Sequence, residues 1–117
     1  MIPGLVTHIT TPAAWAAAQR AGVYSAPSME MQGFIHLSAP AQVIGVANFL
    51  YAGQSGLLLL VIDPAKLRAE LRWEEYEPGS PHFPHLYGPL NLDAVTEVLP
   101  FEAGADGRFE LPARLRS

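Results

Sequence analysis

Leu57-Leu58-Leu59-Leu60-Val61-Ile62 decides the fold. Six apolar side chains in succession, with no polar one to face water, predict a strand covered on both faces. Asp63-Pro64 ends the run at a strand's length, and Asp63 is placed to cap a short helical turn through Leu67. A strand covered on both sides needs partners in front of it and behind it, and the chain supplies them in both directions.

Upstream, Leu5 to Ile9 reads as a first strand. Thr11 and Pro12 form an N-cap and N1 pair, opening an alanine-rich helix from about Pro12 to Arg20 that Gly22 closes. Trp15 is its bulky apolar anchor. Residues 23–33, punctuated by Pro27 and Gly33, read as a long connection of the kind that often serves as a functional flap. Phe34 to Leu37 is a second strand. Ser38 is placed to cap a helix over 40–51, whose Val43, Val46, Ala47 and Leu50 give a half-buried stripe, with Gly53 as its stop. Downstream, Leu71-Arg72-Trp73-Glu74 alternates as a strand, and a Pro/Gly-rich loop runs from Glu75 to about Pro84. His85 to Tyr87 and Val95 to Phe101 are the last strands, and the tail after Ala103 wraps back through Phe109 and Leu111. Helices early and strands late predict one α+β domain over residues 1–117, not a doubly wound sheet.

Composition narrows the chemistry. Half of the 117 residues are hydrophobic and 15% are charged, the balance of a globular chain with a real core. The absence of cysteine excludes disulfides, thiolate catalysis and sulfur-bound zinc. A net charge of −4, with one lysine and six scattered arginines, opposes nucleic-acid binding. The start lacks a basic region followed by an apolar stretch, and the longest apolar run is far short of a membrane span, so a cytoplasmic protein without a membrane partner is expected. Monomer and homodimer are both open.

Three of the four histidines, His8, His36 and His85, fall in strand-like apolar runs, a pattern that predicts a pocket. Val6, His8 and Thr10 share one strand face, and a histidine facing inward must find a partner for its ring nitrogens, whether as a core residue or as a ligand-binding one. His36 and Ser38 also share a face, but an i, i+2 pair does not aim an imidazole at a serine oxygen, and no Gly-x-Ser-x-Gly turn is present, which opposes serine hydrolysis. His82 and His85 are three apart, yet Pro81 and Pro84 exclude the helix that would bring them onto one metal. Glu74 ends a strand, either simply solvated or placed for acid/base work or for holding a ribose hydroxyl. Tyr87, in the rigid turn Tyr87-Gly88-Pro89, can stack on a planar ring or close the core edge.

The ordered segments Thr7-His8-Ile9-Thr10, Gly33-Phe34-Ile35-His36-Leu37-Ser38, Leu59-Leu60-Val61-Ile62-Asp63, Arg72-Trp73-Glu74 and Phe83-Pro84-His85-Leu86-Tyr87-Gly88-Pro89-Leu90 resemble one bacterial family, called domain of unknown function 952, from Leu5 to about Leu111. The resemblance implies an ADP-ribosyltransferase-like fold: a split mixed β-sheet with two main helices around a nicotinamide-dinucleotide cleft. The family has no established activity. Gln32 to Leu67 is also similar to the RNA 2′-phosphotransferases, through His36-Leu37-Ser38 and the first-strand His8-Ile9-Thr10. Those enzymes hold the 2′-phosphate with arginines, and Met31-Gln32-Gly33-Phe34-Ile35 contains none.

What the resemblance implies for function is a nucleotide-like ligand, NAD first among them, as ligand or substrate. Residue by residue, the resemblance carries over only to His8, with Thr10 beside it, and to His36-Leu37-Ser38; Glu74, His85 and Tyr87 join them by their places in the chain, so that His8, His36 and Glu74 are the candidate catalytic groups and His8, Thr10, Ser38, His85 and Tyr87 the candidate ligand-holding ones. No metal is expected. If the protein is an enzyme, the step would be attack at the nicotinamide ribosyl carbon, with Glu74 steadying the developing positive charge. The alternative is a non-catalytic metabolite- or partner-binding module that keeps only the fold.

Overall fold

The structure is a computed structural model describing residues 4–75 and 77–115. The order is β1 (Val6–Thr10), α1 (Pro12–Ala21), β2 (Val23–Tyr24), α2 (Pro27–Gln32), β3 (Ile35–His36), α3 (Pro40–Leu50), β4 (Leu57–Ile62), β5 (Glu70–Glu75), β6 (His82–Tyr87), β7 (Leu90–Asn91) and β8 (Val95–Phe101). Single 3-10 turns lie at Pro64–Lys66, Leu92–Ala94 and Ala113–Leu115. The strands form a central sheet β1-β4-β8, a small sheet β3-β6-β5 and the pair β2-β7.

Every named pairing is antiparallel, where a mixed sheet was expected. The cause is the routing of the helices. α1 runs from the central sheet to the β2-β7 pair, and α3 from the small sheet to the central one, so neither makes the crossover between neighbouring strands that a parallel pair requires.

β4 is covered on both faces, as its sequence demands. Leu60 and Ile62 join Val6, Ala18, Tyr24, Ile35, Leu37, Leu86 and Leu90 in one core. Leu57, Leu59 and Val61 join Ile9, Val43, Ala47, Phe101, Phe109 and Leu115 in the other. The tail returns as expected: Phe109 stacks on Phe101 with ring centroids 4.8 Å apart, and its N–H donates to Asn48 Oδ1 at 2.8 Å. Thr11 caps α1 by accepting from the Ala14 N–H, Gly22 ends it in the left-handed region, and Asp63 accepts from the Ala65 N–H.

Four local expectations are corrected. Ser38 does not cap α3. Its backbone instead forms a bridge with Thr7 (Thr7 N–H to Ser38 O at 2.7 Å, Ser38 N–H to Thr7 O at 2.9 Å), which ties the central sheet to the small one. The N-cap is Ala39, whose N–H is taken by Gln42 Oε1. Residues 23–33 hold β2 and the six-residue α2, so the described residues form three α-helices, two of them long. The loop after β5 is shorter than expected because β6 begins at His82: Pro84 has no N–H to give, yet its carbonyl still accepts from Leu37 N–H at 3.0 Å. α3 stops at Leu50, with Tyr51 as its C-cap, before Gly53 is reached.

Candidate active face

Register places the chemistry. In the small sheet His36 pairs with His85, Arg72 with His85, Glu74 with Phe83 and Glu70 with Tyr87. Directly opposed residues share a face. The alternate residues Ile35, Leu71 and Leu86 therefore turn into the first core, and one outward face gathers His36, His85, Tyr87, Arg72 and Glu74. Phe34, beside β3, packs over this face, stacked on His85 with centroids 4.2 Å apart, edge-on to His36 at 4.8 Å and tilted to Tyr87 at 5.2 Å.

Glu74 is the hub. Its Oε1 accepts from the Tyr87 hydroxyl at 2.5 Å and from His85 Nδ1–H at 3.1 Å. The Tyr87 bond, then the His85 bond, hold the carboxyl below the usual carboxylate range. The same bond to Glu74 pushes the Tyr87 phenol up. Arg72 lies over the Tyr87 ring, 4.6 Å from its centroid, and bonds Glu70 at 3.0 Å. His85 is only 2% exposed, whereas His36 is exposed and donates from Nε2–H to Gln32 Oε1 at 2.7 Å. Desolvation, then the neighbouring His85, lowers the His36 pKa.

His8 enters this face from behind. Leu37 bonds back to β6, so the alternate residue His36 turns its carbonyl to the free edge of β3. His8 Nδ1–H meets that carbonyl at 2.7 Å. A carbonyl only accepts, so the proton is on Nδ1, and Nε2 accepts from the Tyr24 hydroxyl at 2.8 Å. Tyr24 has then given its proton, so the Thr10 hydroxyl donates to the Tyr24 oxygen at 2.9 Å. Burial pushes the His8 pKa down to about 4, so the ring is neutral at pH 7.

The structure thus brings His36, Glu74, His85 and Tyr87 together on one face. His8 reaches them through a backbone carbonyl with both ring nitrogens engaged, and Thr10 stands one hydrogen bond further back, on Tyr24. Ser38 is buried in the bridge between sheets. Arg72, Gln32 and Tyr24 were not among the sequence candidates. Arg72 had a signal, its alternation with Trp73 in a strand, but Tyr24 lies in what read as a loop, and the Gln32 contact spans the end of an unforeseen helix.

A family model described as "Protein of unknown function (DUF952)" matches residues 9–98. The crystal structure of protein CC0527 from Caulobacter crescentus is 36% identical, covers 95% of this chain and 97% of that one, and superposes with a TM-score of 0.84. The solution NMR structure of CC0527 is also 36% identical, with 92% and 93% coverage and a TM-score of 0.80. No curated protein matches the chain. With most of its length inside the family model, and a relative above one-third identity spanning nearly all of it, the chain belongs to the DUF952 family of proteins of unknown function.

Proposed function

We propose that the outward face of the small sheet binds a nucleotide-like small molecule, with NAD or a related nucleotide as the first class to test. The observation that carries this reading is the convergence on Glu74: a carboxylate held by a phenol and an imidazole, beside an exposed histidine and an aromatic surface. Phe34 and Tyr87 offer rings for stacking a planar base, and the cation of Arg72 suits an anionic group. Glu74 and His85 are within reach of acid/base work, so transfer of an ADP-ribosyl group, the activity implied by the fold resemblance, belongs to the same reading. His8 is a positioning residue in it, holding the His36 backbone while His36 faces the ligand.

A non-catalytic module is the second reading. It is favoured by the setting of His8, whose two ring nitrogens both bond protein groups and so have no hydrogen bond left for a ribose. Titration of NAD and of AMP into the protein, followed by two-dimensional NMR, tests the binding they share. The expected result is movement of the Phe34, His36 and Tyr87 signals, with affinity lowered about tenfold, or 1.4 kcal/mol, in Arg72→Ala. No movement at millimolar ligand rejects the nucleotide reading. Binding with no release of nicotinamide from NAD selects the module over the enzyme.

A further inference from the structure

The half-buried His8 and the buried His85 are finished differently. His8 has a protein partner for each ring nitrogen. His85, 2% exposed, has Glu74 at Nδ1, while its Nε2 is buried with no hydrogen-bond partner among the described residues. The carboxylate of Glu74 can only accept, so in the neutral ring the proton sits on Nδ1 and Nε2 presents a lone pair. A buried acceptor left unpaired costs stability, and folded proteins keep few of them. The same chain that matches His8 completely leaves His85 open at one atom, inside the cluster that carries the proposed binding face.

Two rings pack against His85. Phe34 stacks on it at 4.2 Å with the planes 19° apart, and His36 stands edge-on with centroids 5.3 Å away. Both rings come from the edge of the small sheet. Phe34 directly follows Gly33, which ends α2 in the left-handed region at φ 85°, and the strand it enters is only two residues long. A side-chain rotation of Phe34 therefore breaks no backbone ladder.

We propose that His85 Nε2 is the acceptor for a sugar hydroxyl of the bound ligand, admitted when Phe34 turns aside, with Glu74 fixing the tautomer that makes the acceptor. This rests on the nucleotide reading above and narrows it: the face takes ligands whose ribose carries free hydroxyls, and discriminates against those that lack them. Loss of a donor to a buried acceptor leaves that acceptor stranded in the complex, which is how hydrogen-bonding sites reject deoxy analogues.

The test compares AMP with 2′,3′-dideoxyadenosine monophosphate on the wild-type protein, with histidine ring nitrogens followed by 15N NMR. Deleting the hydroxyls from the ligand leaves the fold intact, which a change at His85 would not guarantee. The expected result is at least tenfold weaker binding of the dideoxy compound, together with a shift of the His85 Nε2 signal that AMP produces and the dideoxy compound does not. Equal affinities overturn the proposal and leave the nucleotide reading standing. Weaker dideoxy binding with an unmoved Nε2 signal also overturns it, since the hydroxyls are then read elsewhere. No binding of either compound overturns both.

Discussion

His8 and His36 are joined by a 2.7 Å hydrogen bond from the imidazole Nδ1–H of the first to the main-chain carbonyl of the second. The bond crosses from the central sheet to the outer edge of β3, two residues before the Thr7–Ser38 bridge, where none of the named strand pairings takes that carbonyl. His8 thus completes an edge that a neighbouring strand would otherwise complete, and it does so with a titratable group.

That choice makes stability depend on pH. The folded pKa of His8, about 4, lies below the ordinary 6.5, so the folded state binds fewer protons than the unfolded one between those values. The His8 contribution is whole above about pH 6.5 and should be lost as pH drops toward 4, by about 3 kcal/mol at about 1.4 kcal/mol per unit. His36, also lowered, acts in the same direction. His8→Asn keeps a donor near the carbonyl and cannot titrate. It should flatten much of this slope while costing about 0.5–1.5 kcal/mol at pH 7 through loss of the bond from the Tyr24 hydroxyl, which can turn its proton to Thr10 instead. Urea unfolding at pH 7, 5.5 and 4 checks it, and a slope equal to that of wild type would remove His8 as its source.

The Tyr87–Glu74 bond makes a second, local prediction. Because the phenol donates to the carboxylate, it stabilises the ionised acid and holds the Glu74 pKa down. Tyr87→Phe should move the Glu74 titration up toward the ordinary 4.5, read by carboxyl 13C NMR, with the His85 contact keeping part of the depression. In the reciprocal variant, Glu74→Gln, the phenol of Tyr87 should fall back toward 10.0 because the negative partner is gone. An unmoved Glu74 titration in Tyr87→Phe would mean that the phenol bonds elsewhere in solution.

Periodicity made part of this legible in advance. The double burial of β4, the faces of β1, the Thr11 and Asp63 caps and the return of Phe109 all follow from local pattern and turn chemistry, and the structure shows each of them. Ser38 shows where local reasoning stops. Before Pro40 it reads as a cap, yet the backbone of Thr7, thirty-one residues earlier, takes it into a bridge. The same limit explains α2 and β2: six- and two-residue elements carry too little periodic signal to stand out from a loop, and tertiary contacts decide them. Among the candidates, the grouping of His36 with His85 was set by a cross-strand register that no spacing along the chain encodes. Tyr24 was hidden for the same reason, since its value lies in where β2 delivers its hydroxyl.

Gly88 sets the end of the strand that carries both His85 and Tyr87, and its substitution separates backbone geometry from chemistry. Its φ of 157° lies at the edge of the region side chains avoid, and a Cβ there would stand 2.7 Å from the Cβ of Ala69. Ala69 precedes β5 and has no flexible end to swing away, so Gly88→Ala must shift backbone in one strand or the other. The cost should be about 1–3 kcal/mol. Gly45, in the middle of α3, is the control: a Cβ there meets nothing within 4 Å, and alanine is the better helix former, so Gly45→Ala should stabilise by about 0.5–1 kcal/mol. Thermal unfolding of the two variants should therefore move the midpoint in opposite directions, by a few degrees each. In Gly88→Ala the displaced strand end should also loosen the Tyr87–Glu74 bond and raise the Glu74 titration, a readout that Gly45→Ala leaves untouched. A Gly88→Ala protein with an unchanged midpoint and an unchanged Glu74 would show that the turn at Ala69 yields freely, and that the strand end does not hold the site in place.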